Sequence, residues 1–323
     1  MFKIFRFADH QGKGQAYRLA LLSYGWRESR YSRSRCAFGL SDSDWREEFI
    51  NPLLYTKTPV FLYPHAARPM VQYDGIITPK PVTAMFTIAE GGVELMKMIS
   101  YPYPVEAVGW TYTEVGNFQP LDREPENILF APIHPNANGY LNQVDKDLNR
   151  KTFDALEKYT KKAGIKLKVR YLRSWELNGL PDPEEYPDVE WIFAKPNGST
   201  VDIRLSDVIV SHQTFAYMSI AIGKPTLMFG EDIPPRSGNT EEGFEYVKNW
   251  DKYKNYLAYP LDILNNKKSA GGMPVAEWIK MACTTDEPIR EWKQRFIGKP
   301  FNQKNFVQRL ESYLQEGRYD RRD

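Results

Sequence analysis

Short apolar runs alternate with longer amphipathic ones along most of this chain. The short runs predict strands at 1–8, 59–63, 105–109, 128–132, 166–172, 189–193, 208–210 and 225–229. Between them, an apolar stripe of Ala16, Leu19, Ala20, Leu21 and Leu22 predicts a helix that ends by Gly25. Further helices are predicted at 83–99, at 145–164 (Leu148, Phe153, Leu156 and Tyr159 on one side), at 214–222 before Gly223, and at 274–283, 288–296 and 303–315. Segments 27–35 and 64–81 lack periodicity and are expected to be loop and turns. Strands alternating with helices call for parallel sheets covered on both faces.

The polar, proline-rich stretch 119–127 has the composition of a linker. It divides the chain into an expected first domain, 1–120, and a second, 121–300. The helix within 301–323 is expected to pack back on the first. The opening, a strand followed by a glycine-containing loop and a helix, is how a Rossmann-type domain begins. The expected class is therefore α/β, with two Rossmann-like domains.

Composition narrows the function classes. The 323 residues carry 43 Lys and Arg against 41 Asp and Glu, a net charge of +2 that by itself points to neither nucleic acid nor membrane. No apolar stretch approaches the roughly 20 residues of a membrane helix, and Lys3 and Arg6 interrupt the N-terminal run that a signal peptide would need. Cys36 and Cys283 stand far apart, which argues against a disulfide framework or a zinc motif. A cytoplasmic protein without membrane insertion is expected.

All four histidines, His10, His65, His134 and His212, fall just past a predicted strand. In an open α/β sheet, ligands bind outside the carboxyl ends of the strands, and imidazole titrates near neutrality. The segment 205–230 concentrates this signal. A short strand delivers Ser211, His212 and Gln213 to a turn, and Thr214 is placed to cap the next helix, whose unpaired N–H groups favour a diphosphate.

This segment resembles the donor-binding half of nucleotide-sugar enzymes of GT-B type, a group that includes glycosyltransferases, glycerophosphotransferases and UDP-N-acetylglucosamine 2-epimerases. The resemblance rests on Asp207, the apolar run 208–210, Ser211, and Gly223, Lys224 and Pro225 leading into the next strand. Residues 130–141 resemble the first loop of the same half. Departures are visible too. The loop 9–14 differs from an epimerase opening, and His212, Gln213 and Thr214 stand where a glycerophosphotransferase has other residues.

The resemblance implies two Rossmann-like domains facing across a cleft, with a nucleotide-sugar donor on the second half, a UDP-sugar by default. It implies no required cofactor and no metal. Ser211, His212, Gln213 and Thr214 would hold the diphosphate, Glu231 the ribose, and His134, Asn136, Asn138 and Gly139 would face phosphate and sugar, with Arg236 adding charge. A general base for the acceptor is expected among Asp9, His10, His65 and Asp74 of the first half. Asp42 and Asp44 fit a metal-binding pattern, but their place before an acidic, helix-like run suits a cap better.

The acceptor stays open. Arg27, Arg30, Arg33 and Arg35, interleaved with Trp26 and Tyr31, suit DNA, as in glycosylation of a hydroxymethylated phage base; Lys13 is grouped with them as acceptor-binding. The same residues suit an acidic glycan or phosphate acceptor, or only solvent. Transfer of a sugar to an acceptor hydroxyl is the expected activity. An epimerase, a glycerophosphotransferase-like enzyme and a non-catalytic nucleotide-sugar binder are its alternatives.

Overall fold

The computed structural model describes residues 3–7, 15–29, 35–40, 58–63, 82–98, 103–135, 139, 141–195, 198–229, 258–263 and 274–315. They form two compact units. One gathers described residues of Met1–Glu114 and Gln294–Asp323, the other those of Val115–Pro234 and Asp251–Lys293. The stretch 119–127 lies inside the second unit, where Gln119 N–H donates to Gly223 O and Leu121 N–H to Cys283 O.

In the first unit, β1 (Ile4–Phe7), β2 (Arg27–Glu28), β3 (Cys36–Leu40), β4 (Val60–Tyr63), β5 (Ala84–Thr87) and β6 (Val105–Ala107) form one parallel sheet in the order β2-β1-β3-β4-β5-β6. Helices α1 (Gln15–Ser23) and α2 (Glu90–Met98) belong to the same unit. Phe38, Phe61 and Phe86 stack across three neighbouring strands, with ring centroids 5.4 and 5.7 Å apart. The closing helix among the described residues, Gln303–Gln315, seals this ladder. Phe306 presents its ring edge to Phe86 at 5.1 Å and to Tyr17 of α1 at 5.2 Å, and is fully buried. Aromatic rings this large supply much of the apolar area a sheet face must hide.

In the second unit, β7 (Asn127–Ala131), β8 (Lys166–Tyr171), β9 (Glu190–Phe193), β10 (Val208–Ser211) and β11 (Thr226–Met228) are also parallel, ordered β11-β10-β7-β8-β9. The central strands are unbroken apolar runs because both faces are covered: Ile128, Leu129, Phe130, Val208, Ile209 and Val210 are all fully buried. The helices are α3 (Gln143–Ala163), α4 (Ser199–Arg204), α5 (Gln213–Ile222), α6 (Val275–Thr284) and α7 (Arg290–Phe296), the last crossing into the first unit; α8 (Gln303–Gln315) is the closing helix described above. Helix α3 starts where the Asn142 side chain accepts from Asp145 N–H, and stops at Gly164 in the left-handed region, φ 70°.

Several sequence expectations need correction. The predicted helix 83–99 is two elements, β5 and then α2: Ala84–Thr87 is buried on both faces, and a short, wholly buried run has no period to betray it. Arg27–Glu28 is not loop but a two-residue edge strand. Strand β3 and helix α4 carried no readable pattern at all. On α3 the buried line is Asn149, Thr152, Phe153, Leu156 and Thr160, so Leu148 and Tyr159 are only half-buried flanks.

Candidate functional site

The strand order of the second sheet reverses between β7 and β10. From β7 the chain steps outward through β8 and β9, then returns to the far side of β7 for β10 and β11. Loops leaving such a reversal part to opposite faces, opening a crevice at the carboxyl ends of the two strands. Ala131 and Ser211, the last residues of β7 and β10, are paired in register, so the 132–141 loop and the turn into α5 leave the sheet side by side. The register thus sets the start of the segment bearing His134 beside Ser211 and the turn bearing His212, Gln213 and Thr214.

Each side chain has a definite placement. Ser211 is 1 % exposed and its hydroxyl donates to Ala131 O at 3.0 Å, so it ties the two strands together rather than facing a diphosphate. His212 is half-buried, and its Nδ1 lies 2.9 Å from Phe229 O. A carbonyl only accepts, so Nδ1 carries the proton and the neutral ring has its lone pair on Nε2. This bond also fixes the ring against the residue that follows β11. His134 is exposed.

Helix α5 begins one residue earlier than predicted. Its N-cap residue is His212 with extended backbone, no side chain makes the cap bond, and Thr214 lies in the first turn. Gln213 bends the chain from strand to helix with φ 47°, a left-handed conformation that costs a non-glycine residue roughly 1–2 kcal/mol. Such strain tends to gather where a ligand is held. The elbow sets the first N–H groups of a ten-residue helix at the carboxyl edge of β10, the end at which the dipole favours anions. Arg170 lies over the Phe215 ring at 4.9 Å in the same first turn, but its guanidinium is paired with Asp202 at 2.7 Å and bonded to Ser199.

Three residues on this edge escaped the sequence reading. Asn149, fully buried on α3, accepts from Ile133 N–H and donates to Ile133 O, both at 2.8 Å, and also donates to Asn178 O at 2.7 Å. Asn178 in turn donates to Leu172 O at 2.8 Å and Ser174 O at 2.5 Å, the carbonyls on either side of Arg173. Arg173 shares with Gln213 the positive φ seen in no other non-glycine described residue. Asn149 left a trace, a polar residue on the buried line of an amphipathic helix. Arg173 left none.

Asp207 and Gly223, which carried part of the resemblance, prove structural. Asp207 accepts from Glu126 N–H, Asn127 N–H and Arg123, stapling the amino ends of β7 and β10. Gly223 closes α5 with φ 96°. In the first unit, Arg27 is exposed on edge strand β2, and Arg35 lies 6.0 Å over the Trp26 ring. The remaining candidates, Asp9, His10, Lys13, Arg30, Arg33, His65, Asp74, Asn136, Asn138, Glu231 and Arg236, lie outside the described residues, as do Asp42 and Asp44. Among the described residues, no three His, Cys, Asp or Glu side chains cluster as metal ligands, and no helix is long and apolar enough to cross a membrane.

No family model matches this sequence, and no curated protein does. Solved structures do. A putative UDP-N-acetylglucosamine 2-epimerase from Listeria monocytogenes aligns with a TM-score of 0.54 at 10 % identity, over 98 % of this chain and 97 % of that one. MnaA from S. aureus, in a co-structure with UDP, aligns at 0.52 and 11 % identity, with the same coverage. MurG from Acinetobacter baumannii aligns at 0.50 and 11 %, over 97 % of this chain and all of the other. The chain has the GT-B fold of these nucleotide-sugar enzymes.

Proposed function

We propose that the chain is a glycosyltransferase that takes a sugar from a nucleoside-diphosphate donor held at the β7–β10 reversal and passes it to an acceptor hydroxyl. The carrying observation is the strained elbow at Gln213, which sets the start of α5 beside a His212 ring locked by Phe229 O. The N–H groups there suit a diphosphate, and a protonated His212 would offset the charge that develops as the nucleotide departs. Ser211 drops out of the contact set. His134 and Gly139 remain facing the donor, and Glu231 and Arg236 stay with it as proposed ribose and phosphate contacts. Asp9, His10, His65 and Asp74 stay as candidates for the base.

A thermal-shift panel of UDP, CDP, GDP, ADP and dTDP with their sugar conjugates tests the donor site. A ligand at a hundred times its Kd stabilises the native state by about 2.7 kcal/mol. One nucleotide family should raise Tm, and His212→Ala should abolish the rise. No shift with any of them would overturn the reading.

Epimerization is the second reading, favoured by the likeness to the putative epimerase from Listeria. An epimerase interconverts the sugar or releases nucleotide with no acceptor present, whereas a transferase needs the acceptor. A non-catalytic binder would show the thermal shift and no turnover. For a DNA acceptor, neutralising Arg27, Arg30, Arg33 and Arg35 should weaken DNA binding and flatten its salt dependence; unchanged binding would remove that loop from the acceptor site.

A further inference from the structure

Arg173 is exposed, just past the end of β8, with φ 71°. A solvated arginine has no need of a left-handed backbone, and this one is held there from both sides. The buried Asn178 amide donates to the carbonyls of Leu172 and Ser174, which bracket it. Asn178 O is in turn gripped by Asn149, the same side chain that grips Ile133 at the root of the 132–141 loop. One buried amide pair therefore fixes both the loop bearing His134 and the turn bearing Arg173.

The guanidinium reaches across to that loop. A Cβ added at Gly139 would lie 3.0 Å from Arg173 Nη1, and Gly139 itself has φ 81°. A side chain at 139 would thus crowd the guanidinium, and glycine keeps the space open. A permanently charged, planar fork of donors is suited to phosphate oxygens.

The geometry points to Arg173 as a phosphate-gripping residue at the carboxyl edge of β7 and β8, across from Gly139, with Asn149 and Asn178 as its positioning residues. This deepens the nucleotide-sugar reading and rests on it for the identity of the ligand, though not for its charge.

Calorimetric titration of the full chain with inorganic pyrophosphate, and with the nucleoside diphosphate found in the thermal panel, tests it. Arg173→Gln should weaken both about ten- to a hundredfold, the effect of removing a charge-assisted bond, and leave the parent nucleoside unchanged. Asn178→Ala should weaken pyrophosphate when Arg173 is present and add nothing in the Arg173→Gln background, a coupling that mere loss of packing would not produce. Melting curves identify the folded variants. The exposed Arg173→Gln change keeps the test valid if Asn178→Ala does not fold. Equal pyrophosphate affinity in wild type and Arg173→Gln, or no pyrophosphate binding by wild type, overturns the inference. Pyrophosphate bound through Arg173 with no nucleotide bound would instead overturn the nucleotide-sugar reading alone.

Discussion

Asn149 pairs with the main chain of Ile133 as a strand neighbour would: its Oδ1 accepts from Ile133 N–H and its Nδ2 donates to Ile133 O, both at 2.8 Å. A helix side chain thereby satisfies backbone that has just left β7 and has no ladder partner there. Deleting it strands the N–H and O of half-buried Ile133 together with the buried Asn178 O. Each unpaired group costs about 1–3 kcal/mol, so Asn149→Ala should destabilise the protein by about 3 kcal/mol or more in urea titration. A loss under about 1 kcal/mol would mean that water replaces the amide without penalty and that the loop does not depend on it.

Gly223 answers to geometry rather than chemistry. A Cβ at this position would run into Asn117 O, and its φ of 96° strains any other residue. Gly223→Ala should therefore cost more than the roughly 1 kcal/mol of a lost helix cap, about 3 kcal/mol by chemical denaturation. An effect near 1 kcal/mol would show that the 117–119 strap yields easily.

Phe306 belongs to the last helix yet fills the core of the first unit, touching Phe86, Phe38 and Tyr17. Phe306→Ala should cost about 3–5 kcal/mol, the usual loss for a buried aromatic ring. By calorimetry this should lower the Tm of the unit built on β1–β6. Unchanged melting would separate α8 from that core.

The legible part of this molecule was the part with a period or a punctuation mark. β7 and β10 stood out because buried parallel strands are unbroken apolar runs, β8 because Leu167 and Val169 alternate with polar residues, and α5 because Gly223 ends the helix where a left-handed cap is needed. Those same elements carry His134 and His212, so half of the histidine signal landed on described residues at the β7–β10 edge. What stayed hidden were features set by tertiary contact. The left-handed backbone of Arg173 depends on Asn178, which is remote from any pattern, and β5 was absorbed into a helix because its buried faces show no alternation. Ser211 misled for a related reason: a polar residue at a strand end suits a ligand and a neighbouring carbonyl equally well, and only the register with Ala131 separates the two.

Burial sets an alkaline limit on stability. Desolvation pushes the Tyr17 and Tyr259 phenols and the Cys36 thiol well above their ordinary values, and raises Cys283 to about 12. The folded chain holds these protons longer than the unfolded chain does. The stabilisation is therefore full below pH about 8, where unfolded thiols begin to ionise, and is lost as pH climbs through the folded values. Urea midpoints should hold steady up to about pH 8 and fall beyond it. Tyr17 and Tyr259 phenolate absorbance should appear together with unfolding. Their gradual ionisation in a still-folded protein would contradict the burial.

Gln213 sets stability against binding. Replacing it by glycine removes roughly 1–2 kcal/mol of left-handed strain and adds about 0.5–1 kcal/mol of unfolded-state entropy, so relief should win by a few tenths to 1 kcal/mol. If the elbow is strained to shape a diphosphate site, Gln213→Gly should melt slightly higher than wild type while losing most of the nucleotide-induced rise in Tm, because the freer turn no longer holds the first N–H groups of α5 in place. The two readings come from one instrument and move in opposite directions. A variant that melts higher and keeps the full nucleotide shift would show that the strain serves something other than the ligand. A variant that melts lower would show that the side chain of Gln213 contributes more to the fold than its backbone costs.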